Sequence, residues 1–281
     1  MKNAATKNSI KISTKGCMVR TYKNKTKVEK YYDEWTEHYL QSGYGQIIQA
    51  HRPKDVLELL NHIAENAHLK NGMNILDAGC GICGPAVYFA RQFDVHITAI
   101  TNSSEQVKIS KENIIRNSLS DKIEVIKVDY HELGRYFEKE RFDLVIMLES
   151  FGHALNPALV LSGINNVLKK EGHLYIKDYF AKEITGDAVR KRAMKRIISN
   201  MNKAYSYNLP DLNRTLKILR NLDLELQYIV RNKIPLANDD SVLSFEKTHG
   251  IDIFEGGFHF QILEPLELYF KKPADIDAPI V

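Results

Sequence analysis

Hydrophobic positions along the 281-residue chain follow two periods. Val56, Leu59, Leu60 and Ile63 recur at helical spacing and predict a helix over Pro53–Ala67. From Gly72 onward, short apolar runs alternate with amphipathic stretches. Met73–Ala78, Val95–Ile100, Ile123–Val128, Phe142–Leu148 and Gly172–Tyr179 read as strands. Between them, Pro85–Gln92, Ser103–Asn117, Glu132–Phe137 and Pro157–Leu168 read as helices, with Ser103 and Gln106 placed as a capping box. Strand–helix alternation at this interval predicts a parallel, doubly wound α/β sheet, with Phe142–Leu148 as its most buried strand.

The rhythm changes at both ends. Residues 1–26 are polar and lysine-rich and read as a flexible tail, followed by a helix over Lys27–Leu40 carrying Tyr31, Tyr32, Trp35 and Tyr39. After Phe180, Asp187–Lys203 predicts a basic amphipathic helix, and a second helix starts at Leu209-Pro210-Asp211 and runs through Leu219. Leu224–Val230 reads as a strand, 232–257 as loop, and Phe258–Phe270 as strand interrupted by Pro265. A strand pair placed here predicts an antiparallel addition to one sheet edge. The expected organisation is a tail (1–26), an N-terminal helical cap (27–72), a ligand-binding core (73–180), a cap insertion (181–220) and C-terminal strands (221–281).

Composition narrows this picture only modestly. Hydrophobic residues are 44%, enough for a packed core, and a net charge of +4 is too small to point to nucleic acid. Three cysteines, Cys17, Cys80 and Cys83, with no apolar leader suggest a reducing, cytoplasmic setting. No apolar run reaches membrane-spanning length, so no membrane partner is expected.

The candidate chemistry lies at the carboxyl ends of the strands, where open α/β sheets bind ligands. Gly79, Gly81 and Gly84 have the spacing of a nucleotide-binding turn, with Asp77 ahead of them and Pro85 opening a helix. Strand two ends in Thr101-Asn102-Ser103 rather than in the acidic residue a dinucleotide site would place there. Strand three ends in Asp129-Tyr130, and strand four in Glu149-Ser150. An acid displaced from strand two to strand three favours S-adenosylmethionine over a dinucleotide.

These residues resemble the class I S-adenosylmethionine-dependent methyltransferases: Leu76-Asp77-Ala78-Gly79-Cys80-Gly81, Ile100-Thr101, Ser104-Glu105-Gln106, Asp129-Tyr130 and Glu149-Ser150. Within that family they look most like the branch of cyclopropane-fatty-acid synthases and sterol, tocopherol and geranyl diphosphate C-methyltransferases. The resemblance implies a Rossmann-like sheet and S-adenosyl-L-methionine as cofactor. It places Gly79 and Gly81 by the methionine part and Thr101 and Gln106 by the ribose, with Cys80 and Asn102 as further cofactor-binding candidates. Asp129 and the backbone of Tyr130 fall at the adenine, and Leu148 is a further cofactor-binding candidate. Tyr31-Tyr32-Asp33 resembles the branch's His-Tyr-Asp, which makes Tyr32 a lid candidate. Position 83 is Cys where the branch has Gly. The Glu-His pair of cyclopropane synthases reads Gly152-His153, which argues against cyclopropanation.

Glu149, His153 and Tyr44 are the catalytic candidates, with Glu149 as the base or cation stabiliser for an alkene acceptor and Tyr31, Trp35, Tyr39, Tyr44 and Tyr179 as aromatic wall. The expected partner is a small, largely apolar metabolite, and a homodimer is compatible with this reading. Methylation of nitrogen or oxygen is the alternative, with Glu149 or His153 taking the proton. An RNA methyltransferase and a non-catalytic cofactor-binding regulator are the remaining classes. Blander readings stand beside these. Cys80 and Cys83 form a C-x-x-C without a second pair, His51 suits a surface, and Arg190, Lys191, Arg192, Lys195 and Arg196 suit a solvated helix face.

Overall fold

A computed structural model describes residues 14–41, 47–50, 53–234 and 262–275, with backbone alone over 14–26. Parallel strands β1 (Asn74–Ala78), β2 (His96–Thr101), β3 (Ile123–Lys127), β4 (Phe142–Leu148) and β5 (Leu168–Ala181) are joined by helices α3 (Gly84–Gln92), α4 (Ser104–Arg116), α5 (Leu133–Tyr136) and α6 (Pro157–Val167). Helices α1 (Thr14–Gln41) and α2 (Val56–Asn66) precede them; α7 (Ala188–Ala204), α8 (Leu212–Asn221), β6 (Glu225–Arg231) and β7 (Leu263–Lys271) follow. Helix α1 thus begins inside the stretch expected to be a tail. The sheet order is β3-β2-β1-β4-β5-β7-β6, with β7 antiparallel to both β5 and β6.

Alternation along the strands divides the core between the two faces of the sheet. Ile75, Ile97, Leu144 and Ile146 pack with Leu59, Ile63 and Phe89 of α2 and α3. Leu76, Val145, Met147 and Leu268 pack with Leu161, Ile164 and Leu219 of α6 and α8. Strand order reverses between β1 and β4, which opens a crevice over their carboxyl ends.

The structure corrects two local expectations. Pro265 does not interrupt the last strand. It sits inside β7 opposite Tyr179, and its carbonyl accepts the Asn232 N–H at 3.1 Å. A residue's N–H and C=O point to the same neighbour in an antiparallel ladder, so the donor proline lacks would face β6, which has already ended at Arg231. The second concerns Ser103, whose Oγ caps α4 by accepting the Gln106 N–H at 3.1 Å. The Gln106 side chain does not return the bond; it accepts from Thr101 Oγ1 at 2.6 Å, and Thr101 Oγ1 takes the Ser103 N–H at 3.2 Å.

Helix α1 is moored above the crevice by its own acids. Asp33 Oδ1 accepts from Ser103 Oγ at 2.5 Å and from the Glu105 N–H at 3.3 Å, while Glu29 pairs with Lys127 at 2.6 Å. The basic residues of α7 named above are all exposed, and Met194 and Met201 turn inward. No helix among the described residues is long and apolar enough to cross a membrane.

Candidate active site

A cleft lies over the crevice. The glycine turn forms its floor. Gly79 has φ +104°, a conformation that disfavours a side chain, and a Cβ there would meet Ser150 Cβ at 2.4 Å. Ser150 Oγ donates to the Ala78 carbonyl at 2.6 Å, which ties the end of β4 to the end of β1. Helix α4 supports the turn from behind, with Ser110 Oγ donating to Gly81 O at 3.2 Å and Asn113 Nδ2 to Ile82 O at 3.2 Å. Cys83 keeps the left-handed conformation a glycine would adopt, φ 63°, at a cost of about 1 kcal/mol.

Of the residues expected at the site, Tyr32, Gly79, Gly81, Thr101, Asn102, Gln106, Asp129, Tyr130, Leu148, Glu149 and His153 all line this cleft. Cys80 does not. Its N–H is taken by the Ile100 carbonyl at 3.0 Å, and its thiol, pushed up by burial, points to Gly81 O at 3.6 Å. Cys80 and Cys83 are free and buried. Tyr44 and His51 lie outside the described residues. Tyr31, Trp35, Tyr39 and Tyr179 are not in the cleft wall. Tyr31 stacks on Trp35 with centroids 6.2 Å apart and bonds Tyr39 through the two hydroxyls at 2.8 Å.

Glu149 is held tightly in the wall. It has φ 55°, and its side chain is 5% exposed. Oε1 accepts from Lys177 Nζ at 2.5 Å and Oε2 from the Ala50 N–H at 2.5 Å. Lys177 also donates to Gln49 Oε1 at 3.0 Å, so one ion pair holds the 47–50 segment, including cleft-lining Ile48, against the sheet. Pairing of Leu148 with Lys177 across β4 and β5 sets this geometry.

His153 is held in one tautomer. Its Nδ1 lies 3.1 Å from the Ser206 carbonyl, which can only accept, so Nδ1 carries the proton. Nε2 then accepts from the Tyr32 hydroxyl at 2.7 Å. Burial lowers the imidazole to about 4 and so keeps it neutral. The Tyr32 and Tyr130 hydroxyls are pushed well up by burial, and Tyr130 donates to the Ser150 carbonyl at 3.0 Å. Asp129 accepts from the His131 N–H at 2.9 Å and from His131 Nδ1 at 2.6 Å.

Sequence reasoning missed Lys177, Gln49 and His131. Lys177 carried a signal, because with Asp178 it directly follows the apolar run Leu174-Tyr175-Ile176 inside a strand. Gln49 and His131 carried none.

The residues present suit an adenosyl cofactor. A Cβ would fill the cradle at Gly79, and the donor set at the ends of β2 and β3 is uncharged at Thr101 and Gln106 and acidic at Asp129. Asp77 Oδ2, beneath the turn, is buried without a partner among the described residues.

Comparison with known proteins agrees. The family model for mycolic acid cyclopropane synthetase matches residues 55–227. A sterol 24-C-methyltransferase of Neurospora crassa is 27% identical over 215 residues, covering 74% of this chain and 55% of that protein. The chain spans about half the length of the sterol methyltransferases it matches. The structure of geranyl diphosphate C-methyltransferase from Streptomyces coelicolor, with geranyl diphosphate and S-adenosyl-L-homocysteine, matches at a TM-score of 0.67 and 13% identity, covering 89% of this chain and 97% of that one. The [4+2]-cyclase SpnF matches at 0.69 and 20%, covering 88% and 95%, so the fold alone does not fix the reaction. The chain belongs to the mycolic acid cyclopropane synthetase family, within the class I S-adenosylmethionine-dependent methyltransferases.

Proposed function

We propose that the protein transfers a methyl group from S-adenosylmethionine to a small, largely apolar metabolite. The observation that carries this reading is that the ends of β1, β2, β3 and β4 line one cleft with Tyr32 and His153. Gly79 and Gly81 hold the methionine part, Gln106 and Asn102 the ribose, Asp129 and the Tyr130 N–H the adenine, and Leu148 completes the wall. Thr101 serves through Gln106, because its hydroxyl is donated to the Gln106 carbonyl and leaves the amide NH₂ for the ribose. Cys80 supports the turn from behind. Bound cofactor supplies an electrophilic methyl group. The chain's own residues align the acceptor, exclude water and manage charge.

The acceptor atom we favour is an isoprenoid-type carbon. Glu149, its charge balanced by Lys177 and both oxygens bonded, is a carboxylate fixed at the cleft, placed to stabilise the positive charge that develops on an alkene acceptor. Unprotonated Nε2 of His153 is placed to take the proton released by way of the Tyr32 hydroxyl that donates to it: Tyr32 gives its proton to Nε2 and takes one from the acceptor. That geometry also favours a second reading, methylation of nitrogen or oxygen, in which His153 deprotonates the acceptor.

Calorimetry with S-adenosylhomocysteine should show binding, and no heat of binding would remove the whole reading. Glu149→Gln should lower turnover about a hundredfold while cofactor affinity stays near wild type. Unchanged turnover would take Glu149 out of the chemistry. Labelled-methyl transfer into panels of isoprenoid diphosphates and of amines, read by mass spectrometry, separates the two acceptors.

A further inference from the structure

The α7–α8 connection crosses to the turn after β4 and grips it. The His153 Nδ1–H donates to Ser206 O at 3.1 Å, Asn208 N–H to Gly152 O at 2.6 Å, and Asn208 Nδ2 to Ala154 O at 2.8 Å. Tyr207 lies between these anchors. Its hydroxyl donates to Asp178 Oδ1, while the Gly152 N–H donates to Asp178 Oδ2 at 2.9 Å. Its ring fills the space beside Gly152 so fully that a Cβ there would fall 1.8 Å from Tyr207 Cζ. The same ring meets His153 edge-on, with centroids 4.9 Å apart at 85°, and Tyr32 also meets the imidazole, at 5.2 Å and 70°.

We propose that Tyr207, seated in the volume left by Gly152 and anchored to Asp178, is a positioning residue for His153. Through it the 206–208 segment keeps the Ser206 carbonyl on Nδ1, and so keeps unprotonated Nε2 turned to Tyr32 and the cleft. Gly152 and Tyr207 form a matched pair: the bare backbone at one makes room for the ring of the other. Asp178 on β5 takes up the hydroxyl, so the cap insertion and the sheet jointly decide which imidazole nitrogen faces the acceptor. This inference deepens the reading of His153 as proton acceptor and rests on it. The titratable groups around His153 are Tyr32 from α1, Tyr207 from the connection, and Glu149 and Asp178 from the ends of β4 and β5.

Nitrogen-15 NMR of histidine-labelled protein reads the His153 tautomer without substrate, and kinetics read its consequence. Wild type should show Nδ1–H alone. Tyr207→Phe keeps the ring and loses the anchor; it should mix the two tautomers and lower kcat about tenfold or more, with the cofactor KM near wild type and the acid limb of the pH profile displaced. Gly152→Ala, which forces the ring away without altering Tyr207, should give the same spectrum and carries the test if Tyr207→Phe does not fold. Retention of Nδ1–H and of the wild-type pH profile in both variants overturns the proposal. Failure of wild type to bind S-adenosylhomocysteine sinks the methyltransferase reading instead, and the tautomer measurement still decides what Tyr207 does.

Discussion

Asp77 shows what a single residue contributes under the glycine turn. It is 1% exposed, Oδ2 has no partner among the described residues, and burial pushes its carboxyl up to about 7. A folded-state value above the unfolded 3.8 means that the folded chain holds the proton more tightly. The group's favourable contribution is therefore complete below about 3.8 and is lost as pH rises towards 7. Roughly three units correspond to a ceiling of about 4 kcal/mol. Asp77→Asn removes that burden and should raise the melting temperature at pH 8 but not at pH 4. Asp77 stands two residues before Gly79 at the end of β1, so the variant should also bind S-adenosylhomocysteine more weakly. A gain in stability at undiminished affinity would free Asp77 from the cofactor site. Asp77, the glycines and the residues ending β2 to β4 were legible from sequence because each is local to one strand end.

At the scale of elements, α2 is stapled to the sheet by a buried polar cluster that no motif announces. Glu267 of β7 is wholly buried and accepts from His62 Nε2 at 2.8 Å, Asn66 Nδ2 at 2.6 Å and the Tyr175 hydroxyl at 2.9 Å. His62 and Glu267 are 205 residues apart in sequence, so only the insertion of β7 between β5 and β6 creates the pair. The elements themselves were readable because period and turn chemistry are local. Their order was not, and neither was the continuity of β7 through Pro265, which depends on where β6 stops. The Glu267 bond raises His62 above 6.5, against burial. Burial alone would raise Glu267, but hydrogen bonds from His62 and Asn66 bring it below 4.5. The His62 contribution is full below 6.5 and lost as pH climbs through its folded value; the Glu267 contribution is lost as pH falls below 4.5. His62→Ala should therefore cost about 1–3 kcal/mol in urea unfolding at pH 6 and less at pH 9. An equal loss at both would show that the pair is not ionic.

The whole molecule assembles its cleft from parts that sequence proximity does not relate. Lys177 reaches Glu149 across β4 and β5, Asp33 brings α1 over the crevice, and the α7–α8 connection arrives from beyond the sheet. The strand-end half of the site was therefore visible in the sequence, and so was Tyr32 from the half that closes over it; what was not visible was how that half is seated, through Asp33 on Ser103 and the 206–208 segment on Gly152 and His153, because those contacts are tertiary. A cleft built this way couples ligand to global stability, because binding to the folded state alone stabilises it by mass action. S-adenosylhomocysteine at about a hundred times its Kd should add about 2.7 kcal/mol, raising the melting temperature by about 5 °C in a chain of this size. Gly79→Ala is the control that ties the shift to the turn. Its φ of +104° and the 2.4 Å approach to Ser150 Cβ strain the variant and push the ends of β1 and β4 apart. The free protein should melt lower, and the ligand-induced rise should vanish in differential scanning calorimetry. A rise of wild-type size in the alanine variant would place the cofactor away from the glycine turn and leave its geometry to packing alone.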